Sequence, residues 1–186
     1  MTAQVPDSVL VDGRQYALCG VRGEGLFDAA RHGIETVAPD TGCWRGSVCV
    51  YEVVSERLFL AALRMWSEPV HWKRNRARLE RLFGDKLGLD DGHPFVDADG
   101  LAFPIRFTGG LLLGDGFIDD LSAELRLHPA CRYRTVLELT FESGHLLATV
   151  DRSAEMAAVR ARDERDGRDR SSDLIPWTDG LFRLDY

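Results

Sequence analysis

Pro104-Ile105-Arg106-Phe107-Thr108-Gly109-Gly110-Leu111-Leu112-Leu113-Gly114-Asp115-Gly116-Phe117-Ile118 is the stretch on which the fold turns. It combines four glycines, three consecutive leucines and one acid. Glycine tolerates positive φ and close backbone approach. The stretch therefore predicts two buried strands set around tight turns. It does not predict a phosphate loop. No Lys-Ser/Thr follows Gly114, and the glycines do not form a Gly-x-Gly-x-x-Gly turn between a strand and a helix.

On its C-terminal side, residues 119–130 carry a short strand expectation around Glu124-Leu125-Arg126-Leu127. Tyr133 to Phe141 then alternates cleanly. Tyr133, Thr135, Leu137, Leu139 and Phe141 share one face. Arg134, Glu138, Thr140 and Glu142 share the other, with Val136 its one apolar member. That pattern predicts a strand with one wet face, turned by Glu142-Ser143-Gly144 into a return strand, His145 to Val150. Asp151 or Ser153 caps a helix ending near Arg165, with Met156 and Val159 facing in. Residues 163–173 read as a charged, solvated linker, and residues 174–186 as an apolar tail.

On its N-terminal side, Asp12-Gly13 is a turn signal followed by a strand through Tyr16 and Leu18. Residues 28–42 read as loop. Residues 46–54 and 57–63 form a hairpin across Ser55-Glu56. Cys49, Tyr51 and Val53 lie on one face and Val48, Val50 and Val54 on the other, so this strand is expected to be central. Ser67-Glu68-Pro69 starts a helix running to Phe83, with Ser67 as its cap. Residues 84–100 are turn-rich.

The chain has 186 residues, 45% hydrophobic and 28% charged, enough to bury a core in a single β-rich domain over 1–162. The fold class expected is α+β, mainly antiparallel β, sandwich or barrel-like, with two peripheral helices. Residues 11–64 and 99–150 could also be two similar halves. Gly23-Glu24-Gly25-Leu26-Phe27-Asp28 resembles Gly114-Asp115-Gly116-Phe117-Ile118-Asp119, and Cys43, Val48, Ser55 and Leu58 match Cys131, Val136, Ser143 and Leu146 at one offset. A net charge of −7 argues against wholesale nucleic-acid or membrane binding. The N-terminus lacks a basic region followed by an apolar stretch, so the expected location is cytoplasmic. Cys19, Cys43, Cys49 and Cys131 form no Cys-x-x-Cys pair and are expected as buried, reduced thiols.

No catalytic signature, cofactor motif or metal-ligand spacing stands out. Asp97-Ala98-Asp99-Gly100 begins like a calcium loop, but Arg106 stands where such a loop needs Glu. Asp115, Asp119 and Asp120 cluster past the glycine stretch and, with Trp44, Arg45 and His128, are candidate walls of a β-lined pocket. From His71 to Lys86 there are six basic residues against two acids, Glu80 and Asp85. Lys73, Arg74, Arg76, Arg78 and Arg81 on that helix, with Trp177, Phe182 and Tyr186 of the tail, are candidate protein-docking residues.

Val11-Asp12-Gly13-Arg14-Gln15-Tyr16-Ala17-Leu18, Gly25-Leu26-Phe27-Asp28, Cys43-Trp44-Arg45-Gly46 and Phe107 through Ile118 together resemble a family of uncharacterised bacterial proteins, over about residues 11–160. The resemblance implies one compact module and brings no activity with it. Two functions are expected from the residues. The first is a non-enzymatic module that engages another protein or a second copy of itself, such as an immunity-type inhibitor or an accessory subunit of a toxin or defence system. The second is an enzyme or small-molecule binder with a pocket near Asp115–Asp120.

Overall fold

Three two-residue turns set the register of the sheet. Asp12-Gly13, Ser55-Glu56 and Ser143-Gly144 all have φ between +48° and +84°, the hand that matches the twist of paired strands. The computed structural model describes residues 4–87, 93–118 and 129–166, with backbone only for residues 85 and 163–166. The turns join β1 (Ser8–Val11) to β2 (Arg14–Glu24), β3 (Ser47–Val54) to β4 (Arg57–Trp66), and β8 (Tyr133–Glu142) to β9 (His145–Asp151). Between these hairpins lie α1 (Pro69–Phe83), β5 (Phe95–Ala98), β6 (Phe103–Pro104) and β7 (Thr108–Phe117), and α2 (Ser153–Asp166) follows β9. The fold is α+β and mostly β, with two helices.

The strand order is β3-β1-β2-β7-β8-β9-β4-β5, and β3 also pairs with β4, so the sheet returns on itself as a ring. β1 and β3 run parallel and every other pair is antiparallel. The ring closes thinly: β4 meets β9 at one residue pair, Arg57↔His145. Inside it sit Val9, Leu18, Tyr51, Leu58, Leu60, Leu63, Leu111, Leu113, Leu139 and Phe141. Trp72, Leu79 and Phe83 of α1 join the same core.

The glycine stretch forms one ten-residue strand, β7, rather than two strands around tight turns. Its glycines serve close approach instead. Gly109 faces Gly23 across the β2–β7 ladder. Gly114 lies beneath Tyr133, whose ring carbon would be 2.4 Å from a Cβ there.

The outer face of β8 is wet only at its ends, where Arg134 and Glu142 are exposed. Val136 is fully buried, and with Leu112, Cys19, Cys131, Tyr133 and Met156 it forms a second core, Val159 packing beside it. The helix on that face removes Val136 from water, while Glu138 is half-buried and accepts a hydrogen bond from Arg152 Nε at 2.7 Å. Leu137, on the inner face, is also only half-buried. β3 is central as expected, but its outer residue Val54 is exposed. β5 falls within the turn-rich 84–100 region, where no strand was expected from sequence.

Ser67 does not cap α1. Glu68 occupies the cap position with no side-chain cap, and the Ser67 hydroxyl instead accepts a bond from Asn75 Nδ2 at 2.7 Å. Asn75 is fully buried. Its Nδ2 also donates to the Glu35 carbonyl at 2.7 Å, and its Oδ1 accepts from the Glu35 N–H at 3.3 Å. The demand for a buried polar group to find partners thus ties α1 to the loop between β2 and β3.

The β3–β4 and β8–β9 hairpins share a two-residue turn and one register shift each. Their surroundings differ. β1 stands between β2 and β3, whereas β7 lies directly against β8.

Candidate functional site

Strand direction gathers the site. β1 and β3 begin, and β2 ends, at the same rim of the ring, and Phe107 enters β7 there. At this rim lies a pocket of about 480 Å³. Leu18, Val21, Leu26, Phe27 and Phe107 give it apolar walls, and Asp7, Arg45, Cys49 and Tyr51 supply its polar groups.

Asp7 and Arg45 form an ion pair at 2.9 Å, with the Asp7 side chain 9% exposed. The other Asp7 oxygen accepts the Cys49 N–H at 2.8 Å, and Arg45 Nη2 donates to the Val5 carbonyl at 3.0 Å. Burial pushes the Asp7 carboxyl above its ordinary value, with Arg45 and the Cys49 N–H opposing. The pair locks the entry of β1 onto the start of β3, and a buried carboxylate without such partners would be costly.

Tyr51 is wholly buried. Its hydroxyl is shut in beside the Cys49 thiol and the Phe27 backbone, and it makes no well-directed hydrogen bond among the described residues. Burial raises both the Tyr51 phenol and the Cys49 thiol well above their ordinary values, so each holds its proton at neutral pH.

A roof for the pocket comes from the loop after β2, in which Ala29, Ala30 and Arg31 lie around a 3-10 turn. The basic face of α1 holds that loop. Arg74 pairs with Glu35 and Arg78 donates to the Gly33 carbonyl. His71 Nε2 lies 3.0 Å from the same Glu35 carboxylate. Arg76 pairs with Glu80 at 2.8 Å, and Arg81 Nε donates to the Ala77 carbonyl at 3.2 Å, while Lys73 is exposed. Four of the five residues read as a docking face are therefore engaged within the chain. Sequence alone could not show this, because Glu35 is 39 positions from Arg74.

Of the expected pocket walls, Arg45 lines the pocket. Asp115 lies at the opposite end of β7, paired with Arg14 at the start of β2. Trp44 is exposed beside the rim and does not line the pocket. Asp119, Asp120, His128, Trp177, Phe182 and Tyr186 lie outside the described residues, as do the strand expected at 124–127 and the tail. Asp7, Cys49 and Tyr51 were not singled out as site residues from sequence. The one available signal was the polar pair Cys49 and Tyr51 on an otherwise apolar inner face. The four thiols are buried and form no disulfide with one another. Among the described residues, no group of three or more His, Cys, Asp or Glu could hold a metal ion, and no helix is long and apolar enough to cross a membrane. No family model, curated protein or solved structure matches the chain.

Proposed function

We propose that this chain is a non-enzymatic binding protein that takes a small, largely apolar molecule into the mouth of its strand ring. The observation that carries this reading is the pocket itself, about 480 Å³, walled by apolar side chains, with the Asp7–Arg45 pair and Tyr51 in its lining. Ligand sites of about 300–1,000 Å³ with apolar walls and a few fixed polar groups are the common design. Binding fits better than catalysis because burial holds Cys49, the one cysteine in the lining, as a thiol rather than a thiolate. Arg74 and Arg78 of α1 are occupied in holding the roof, which favours the pocket over the helix as the working surface.

Titration with 1-anilinonaphthalene-8-sulfonate as an apolar probe tests this. One saturable site is expected, and Ala30→Trp, an exposed substitution at the pocket lining, should weaken it at least about tenfold, as expected for removing a bound ligand's contacts worth about 1.4 kcal/mol or more, with an unchanged melting temperature. Equal affinity in the variant would overturn the assignment.

A further inference from the structure

β9 has a complete neighbour on one side only. β8 pairs with it from Glu142↔His145 to Leu137↔Asp151. On the other side, β4 meets it at Arg57↔His145, and the Leu146 N–H reaches the Glu56 carbonyl at 2.8 Å. Beyond that point no strand lies beside β9 among the described residues. Antiparallel alternation fixes which groups point away. The Arg152 N–H bonds the Val136 carbonyl, so the N–H groups of Thr149 and Asp151 face outward. Leu147 is 60% exposed and Val150 40% exposed on this strand. Such an edge is a template for another strand, and Leu147–Asp151 carries neither the Pro nor the Lys that commonly blunts one.

We propose that this edge is the docking site of the chain's own C-terminal segment, Phe182–Tyr186, added as a further strand. Phe182, Leu184 and Tyr186 alternate with Arg183 and Asp185, the period of a strand with one apolar face. The geometry permits the return. α2 starts two residues after β9 and packs along β8. Its 14 residues span about 21 Å. The fifteen residues 167–181 reach about 50 Å when extended, enough to bring the segment back to the edge it left. A tethered segment competes well with any free strand, because its effective concentration is of millimolar order. The edge would then be open to a partner only when the tail is displaced.

Amide hydrogen exchange on the full chain tests the proposal. In the native protein the Thr149 and Asp151 amides should be protected while sedimentation gives a monomer mass. Arg183→Pro combined with Leu184→Pro removes a ladder donor in either register and should speed exchange at those two amides at least about tenfold, while Val136 and Leu139 stay protected. Rapid exchange at Thr149 and Asp151 in the unaltered chain would overturn the proposal without any variant. Protection that appears only with a doubled mass would overturn it in favour of a second copy at the edge.

Discussion

Gly23 and Gly109 sit opposite each other on β2 and β7, so close that a Cβ added to either would lie 2.8 Å from the Cα of the other. Their φ values are +128° and +142°, a region that side chains rarely adopt. The pair lets the ladder pass the pocket rim, which Gly23 lines, without a bulky layer. Gly109→Ala should therefore cost more than a simple change of propensity. Backbone strain of this kind is of order 1–3 kcal/mol, and a Cβ there would also lie 2.0 Å from the Arg22 carbonyl oxygen. A loss of at least about 2 kcal/mol in denaturant unfolding is expected from that strain. A loss under about 0.5 kcal/mol, as at ordinary surface sites, would show that the strands separate more easily than this close contact implies.

The second core gives a prediction that the alternation of β8 would not. Met156 is buried over Val136 and Leu112. Met156→Ala should destabilise by about 2–5 kcal/mol, the range for buried Leu, Ile or Met cut to Ala. If the outer face of β8 were wet, the same change would be nearly neutral in thermal or urea unfolding.

Local chemistry carried the hairpins into the sequence reading, because two-residue turns and strand alternation are short-range signals. Tyr133 to Glu142 and the 46–63 hairpin were legible for that reason, as were both helices. Val136 reads in sequence as an isolated apolar residue on a wet face, because its cover, Met156, comes 20 positions later on another element. The glycines of β7 read as turns, because close approach depends on a partner, Gly23, that is remote in sequence. The pocket was least legible. Asp7, Arg45, Cys49 and Tyr51 come from three separate segments, and only the parallel pairing of β1 with β3 puts them at one rim. Asp115 and Gly23, by contrast, belong to short glycine-acid motifs that look alike in sequence but lie at opposite ends of the β2–β7 ladder.

At the start of α2, the Asp151 carboxylate accepts the Ser153 N–H at 2.8 Å. Bonds from the Ser153 hydroxyl and N–H hold its carboxyl below the ordinary value. A carboxyl lowered in the fold contributes stability that is present above its unfolded value and lost as pH falls through the folded one. Asp151→Asn should therefore flatten the acid limb of the melting-temperature profile and leave the neutral and alkaline limbs parallel to the parent. An acid limb of unchanged slope would mean that Asp151 does not titrate differently in the two states.

Tyr51→Phe should separate stability from binding. The hydroxyl is fully buried and lacks a well-directed partner among the described residues, and leaving such a group unsatisfied costs about 1–3 kcal/mol. Phe keeps the ring and removes that cost. The variant should melt at the same temperature as the parent or higher, which is unusual for a change at a wholly buried core position. If the hydroxyl is retained to meet a polar atom of the bound molecule, the same variant should bind the ligand more weakly. A site built to pair with a ligand group leaves something unsatisfied when it is empty, and the stability–function trade-off follows from that. The two readouts distinguish the cases. A lower melting temperature would mean that the hydroxyl's contacts with Cys49 and the Phe27 backbone support the fold, so that Tyr51 is a structural residue. A higher one with unchanged probe affinity would leave the pocket intact as a site and remove Tyr51 from its recognition chemistry.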